Sequence, residues 1–238
     1  MSMSKKRKII IAIVAAAVLL AVGLSCVLAV VLHKRQEREQ HKQAVQAYRD
    51  AKFAIYGSEN EKYADYEVDV AFLGDSLTDL YDLEKYYPQY LTANRGIGGD
   101  TTFDLEDRLG LSVYELKPKV AVMLIGVNNI DSMLDNYERI LQGLRDNLPD
   151  TEIVLLSLTS MSGTWGLNNH LAAYNNVHIK LLAEKYGLEY VDLYSALLNP
   201  ETGEIYAEYT IDGCHLTPEG YEAVTDAVTP TLEKLLGK

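Results

Sequence analysis

Four short apolar runs constrain this chain more than any other feature. They are Val68–Leu73, Val120–Ile125, Ile153–Leu158 and Leu188–Leu193. Apolar runs this short and nearly unbroken suit parallel strands covered on both faces. Helical periodicity lies between them. Leu134, Tyr137, Ile140, Leu141, Leu144 and Leu148 form one apolar stripe that stops at Pro149, as an amphipathic helix would. Leu171, Tyr174, Val177, Leu181 and Leu182 mark a second helix. Thr217-Pro218 opens a third, with threonine as cap and proline in the first turn. Tyr221, Val224, Val228, Leu232 and Leu235 line it, and Pro230 is expected to kink or interrupt it. A weaker strand signal sits at 91–94. The alternation predicts an α/β sandwich around one mostly parallel sheet of about five strands. Ligands of such sheets bind at the carboxyl ends of the strands. Gly74-Asp75-Ser76-Leu77 and Gly126-Val127-Asn128-Asn129 leave those ends.

The N-terminal part has a different character. Residues 9–32 contain no charged side chain over 24 positions. As a helix they would be roughly 36 Å long, enough for a hydrocarbon core of about 30 Å. Lys5-Lys6-Arg7-Lys8 precede them. This predicts a basic cytoplasmic flank over 1–8, a transmembrane anchor over 9–32, a helical stalk over 33–65 broken near Gly57–Asn60, and a folded domain over 66–238 outside the membrane. A secreted form after signal cleavage is the alternative, though the run is longer than a signal peptide needs. Self-association through the stalk has no support in the sequence.

Charge narrows the partners. Residues 1–50 carry nine Lys/Arg and three Asp/Glu, whereas 51–238 carry thirteen and thirty-one. An acidic domain of this kind lacks the basic footprint of a nucleic-acid binder. Two cysteines, Cys26 and Cys214, exclude a disulfide framework and a cysteine-rich zinc site.

The remaining polar residues suggest nucleophilic chemistry. Ser76 follows a strand and a glycine, so it is either a helix cap or a nucleophile at a helix N-terminus. A serine hydroxyl needs a base, and a histidine base needs a partner to set its tautomer. Asp212 and His215 lie three apart across Gly213. Cys214 reads as a packing residue. Gly96-Ile97-Gly98-Gly99 lacks the spacing of a nucleotide fingerprint, and no Lys-Ser/Thr pair follows to make a P-loop. A Gly99 N–H aimed at an oxyanion is the better functional reading, with the Asn128 amide as a second donor. No metal-ligand cluster is spaced for coordination.

Four ordered blocks then coincide: Gly74-Asp75-Ser76-Leu77, Asn94-Arg95-Gly96-Ile97-Gly98-Gly99-Asp100, Gly126-Val127-Asn128-Asn129 and Asp212-Gly213-Cys214-His215. Together they make the chain resemble the GDSL/SGNH hydrolase family over about 66–236. The resemblance implies a flavodoxin-like three-layer α/β/α sandwich. It implies Ser76 as nucleophile, His215 as base and Asp212 as orienting carboxylate. It implies an oxyanion hole from the Ser76 and Gly99 backbone N–H groups and the Asn128 side chain, with no cofactor or metal. One departure stands out: the third block commonly ends Asn-Asp, and here Asn129 follows Asn128. The G-x-S-x-G elbow of α/β-hydrolases is absent, because Thr78 occupies its last position.

The expected activity is ester hydrolysis, with short acyl groups on carbohydrate or cell-envelope material as the first substrate choice. Lysophospholipid, lipid or thioester hydrolysis, acyl transfer, and non-catalytic glycan binding are the alternatives. Arg95, Trp165 and Tyr87 are the expected pocket residues.

Overall fold

The structure, a computed structural model, describes residues 4–237, without the side chains of residue 8 and residues 10–22. The chain divides into two compact units, residues 1–51 and 52–238. One long helix, α1 (Lys5–Lys62), begins in the first unit and ends in the second. It runs without a break through Gly57–Asn60, where the sequence predicts an end.

The second unit is a three-layer α/β/α sandwich. Its strands are β1 (Val70–Gly74), β2 (Thr92–Gly96), β3 (Val120–Leu124), β4 (Glu152–Leu156) and β5 (Glu189–Val191). The sheet order is β2-β1-β3-β4-β5, and every pairing is parallel. The intervening helices are α2 (Ser76–Asp79), α3 (Leu83–Tyr86), α4 (Thr102–Leu109), α5 (Leu134–Asn147), α6 (Gly163–Gly166), α7 (Asn169–Tyr186), α8 (Leu193–Leu197) and α9 (Pro218–Leu236). A small antiparallel pair, β6 (Leu198–Asn199) and β7 (Glu204–Ile205), lies outside the main sheet and was not predicted.

The strands bury both faces, as their composition requires. On β3, Ala121 and Met123 join one apolar cluster with α4 and α5, while Val120, Val122 and Leu124 join the other with α9. Alternate side chains thus serve two cores, which is why the run shows no polar alternation. Fully burying an aliphatic side chain of this size contributes about 1.5–3 kcal/mol. Two helix ends carry clear local caps. Thr217 accepts from the Gly220 N–H at 3.1 Å to cap α9, and Gly187 closes α7 in the left-handed conformation. Pro230 does not interrupt α9, which continues to Leu236.

The expected membrane anchor is corrected by the structure. Among the described residues, no helix is long and apolar enough to cross a membrane. The side chains of residues 10–22, on which that expectation chiefly rested, lie outside the described residues. The transmembrane span over 9–32, the membrane as a partner and the single-pass topology are therefore withdrawn.

Candidate active site

The sheet order places the carboxyl ends of β2, β1 and β3 side by side. The segments leaving those ends carry Gly99, Ser76 and Asn128 respectively. Three stretches separated in sequence are thereby brought to one rim of the sheet.

Asp75, not Ser76, caps the helix that follows β1. Its carboxylate accepts from the Leu77 N–H at 3.1 Å. That leaves Ser76 as the first residue of α2, half-buried, with its hydroxyl free for another partner. The partner is His215, whose Nε2 lies 3.1 Å from Ser76 Oγ. His215 Nδ1 lies 2.7 Å from Asp212 Oδ2. Asp212 Oδ1 also accepts from the backbone N–H groups of Cys214 and His215, at 3.0 and 2.8 Å. This tight turn passes through Gly213 with φ of 95°, a conformation that side-chain-bearing residues rarely adopt. Burial by itself would raise the Asp212 pKa. The bonds from the His215 ring and from the His215 and Cys214 amides outweigh it and hold the carboxyl at about 2.

Cys214 sits in the same loop but is buried, and burial pushes its thiol up to about 12. A thiol held neutral in this way is a poor nucleophile at neutral pH.

Gly99 is exposed, with φ of 83° and open space where a side chain would stand. Asn128 is exposed too, and its Nδ2 donates to the Asp100 carbonyl at 2.9 Å. One amide N–H is thus used to orient the group, and the second is available to an oxyanion.

Asn129, the departure in the third block, is fully employed. Its Oδ1 accepts from the Thr102 N–H at 3.2 Å and its Nδ2 donates to Thr102 Oγ1 at 2.9 Å. The Thr102 hydroxyl donates onward to Asn136 Oδ1 at 2.6 Å. An aspartate could not make the donation to Thr102, so the amide suits a network in which the threonine hydroxyl is spent on Asn136.

Two expected pocket residues lie elsewhere. Tyr87 is fully buried, stacks on Phe72 with ring centroids 5.2 Å apart, and receives the Tyr81 hydroxyl at 3.1 Å. It belongs to a tyrosine cluster with Tyr81 and Tyr221 beneath α2. All three tyrosines are therefore core residues. Arg95 is also fully buried, paired with Glu59 of α1 and lying over the Tyr56 ring. Its guanidinium is tied down inside the fold and offers no substrate contact. Trp165 is half-buried on α6 and packs against the core. Its segment touches the histidine loop, since the Ser162 N–H donates to the Gly213 carbonyl at 2.9 Å. Among the described residues no group of His, Cys, Asp or Glu is arranged to hold a metal ion.

The sequence reading missed Asp75 as a structural group. Burial raises its carboxyl to about 7, with nearby Asp100 adding to the rise, against opposing bonds from the Leu77 and Gly126 amides. Its position one residue before Ser76 was the available signal.

Comparisons with known proteins agree with this fold. No curated protein matches the chain. Among solved structures, a Streptococcus pneumonia protein described as a candidate platelet activating factor is 24% identical with a TM-score of 0.66, covering 82% of this chain and 97% of its own. A GDSL-like lipase from Bacteroides thetaiotaomicron is 22% identical with a TM-score of 0.67, covering 76% and 97%. An acetylxylan esterase from Geobacillus stearothermophilus is 21% identical with a TM-score of 0.58, covering 71% and 95%. At these identities the likeness concerns the fold. The GDSL-like Lipase/Acylhydrolase family matches residues 72–223, from within β1 into α9. The chain belongs to that family and is a carboxylic ester hydrolase of the GDSL type.

Proposed function

We propose that Ser76, His215 and Asp212 form the catalytic triad of a serine ester hydrolase acting on acyl esters of lipid character, lysophospholipid or thioester included. The observation that carries the triad is the unbroken chain Ser76 Oγ, His215 Nε2, His215 Nδ1, Asp212 Oδ2, with links of 3.1 and 2.7 Å.

The chemistry follows from that chain. Ser76 Oγ attacks the ester carbonyl as His215 Nε2 takes its proton. Negative charge collects on the carbonyl oxygen, facing the Ser76 and Gly99 N–H groups and the second Asn128 amide N–H. The tetrahedral species collapses, the ester C–O bond breaks, and His215 returns the proton to the departing alkoxide. Water then attacks the acyl-serine, giving its proton to His215, which passes it to Ser76 Oγ as the acid leaves. Asp212 stays ionised and stabilises the imidazolium in both halves.

The lipid reading draws support from the loops. Phe103, Leu167 and Ile211 are 42%, 74% and 73% exposed. Phe103 is the second residue of α4, just past the Gly99 turn, Ile211 precedes Asp212, and Leu167 ends the segment bonded to the histidine loop. Large apolar side chains exposed on the segments that carry the site residues suit an apolar substrate. The family description, lipase and acylhydrolase, points the same way. Short acyl groups on carbohydrate are the second reading, supported by Trp165 and by the fold-level likeness to an acetylxylan esterase.

A fluorophosphonate probe is expected to label the wild-type protein and not Ser76→Ala. An ester panel of increasing acyl length should show rising kcat/KM. A maximum at acetyl would favour the carbohydrate reading, and absence of labelling on folded protein would favour a non-catalytic glycan binder. Product analysis with added alcohol acceptors separates hydrolysis from acyl transfer.

A further inference from the structure

Beneath the rim that carries Ser76 and Gly99 lies a buried guanidinium that neither the family blocks nor the triad accounts for. Arg108, on α4, is 4% exposed. Its Nε donates to Asp100 Oδ2 at 2.7 Å and one terminal nitrogen donates to the Gly74 carbonyl at 2.9 Å. The other terminal nitrogen donates to the Arg95 carbonyl at 2.9 Å and to Ser112 Oγ at 2.8 Å.

These acceptors are not scattered. Gly74 ends β1 two residues before Ser76. Arg95 lies on β2, and Asp100 directly follows Gly99. The Asp100 carbonyl is also the acceptor that orients Asn128. One side chain is thus bonded to the strand that delivers the nucleophile, to the neighbouring strand and to the turn that carries the Gly99 N–H. Through Asp100 it reaches the third donor as well.

We infer that Arg108 is a positioning residue, holding the nucleophile and the oxyanion donors in mutual register through Gly74, Arg95 and Asp100. This rests on the Ser76 reading above. The physical need is specific. An oxyanion site works only if its donors are held before charge develops, and displacement by a fraction of an ångström weakens it. A planar fork with fixed N–H directions meets acceptors on three segments at once. A lysine ammonium has the charge to balance buried Asp100 but cannot span the same acceptors. The Asp100 carboxylate is wholly buried beside the guanidinium, so the pair also keeps the turn from moving outward to find water.

The test uses the full chain with Arg108→Lys, Asp100→Asn and Ser112→Ala. The concentration of competent sites is titrated with a fluorophosphonate, and kcat and KM on a p-nitrophenyl ester are expressed per titrated site. Arg108→Lys and Asp100→Asn are expected to lose about 10-fold or more in kcat per site, with KM within about 3-fold of wild type. Ser112→Ala, which leaves no charge unpaired, should lose about 3-fold. Probe labelling should slow in parallel. A merely structural role would lower the titratable fraction and the melting temperature while leaving kcat per site unchanged. Wild-type kcat per site in every variant that folds would overturn the inference. Failure of the wild-type protein itself to label would instead overturn the Ser76 reading.

Discussion

Asp212 grips His215 at two points: its Oδ2 lies 2.7 Å from the ring Nδ1, and its Oδ1 accepts the residue's own backbone N–H at 2.8 Å. The first contact sets the tautomer that leaves Nε2 facing Ser76, and the second sets the loop. Asp212→Asn should therefore cost about 10²–10⁴-fold in kcat, by favouring the wrong tautomer, with little change in KM. Steady-state kinetics on a soluble ester checks this.

The same carboxylate has a signature in acid. Its pKa is lowered from 3.8 to about 2. A depressed carboxyl adds stability that is present above 3.8 and is lost as pH falls through about 2. Thermal melts from pH 5 downward should show a steeper fall for wild type than for Asp212→Asn, whose amide does not titrate.

Asp75 should behave in the opposite sense. Burial raises its pKa from 3.8 to about 7, so the folded protein binds a proton that the unfolded chain releases. The stability this lends is complete below 3.8 and is lost as pH rises through about 7. Asp75→Asn keeps an acceptor for the Leu77 N–H without a charge to desolvate. Its melting temperature should rise relative to wild type as pH is raised from 5 to 8. Parallel curves for the two proteins would show that the carboxyl is not desolvated as described.

Asn128→Ala removes a proposed oxyanion donor while leaving the Ser76–His215–Asp212 chain of bonds intact. A loss of about 10²–10³-fold in kcat is expected, with KM nearly unchanged. Fluorophosphonate labelling should slow by a comparable factor, because that reaction also develops charge on an oxygen held in the site.

Glu59→Gln tests the helix that enters the catalytic unit. Arg95 is wholly buried and Glu59 is its carboxylate partner, still about a third exposed at 36%. Removing the charge should destabilise the fold by about 1–3 kcal/mol, below the cost of breaking a fully buried pair because solvent screens Glu59. Urea denaturation of the two proteins provides the comparison.

The pairing of Asp212 with His215 was legible in the sequence because it is local. Asp212 and His215 are three residues apart, and Gly213 is the turn residue that lets them meet. The strands were legible because a sheet covered on both faces must be apolar at nearly every position, as β3 is. Arg95 and Tyr87 were misread for the opposite reason. A polar tip marks a residue as a candidate for the surface, and sequence does not reveal which polar tips have found partners inside.

What the sequence determined by itself, then, was the alternation of strand and helix and the residue types able to carry acyl chemistry, since both follow from periodicity and short spacing. What only the tertiary structure decided was which distant groups share a bond. The continuation of α1 as far as Lys62, bringing Glu59 to Arg95, depends on packing across 36 residues of chain. So does the meeting of Ser76 with His215 across 139. The cause is physical: neighbours along the chain are joined by covalent geometry, whereas distant groups meet only after the core has closed and brought their strands to one edge.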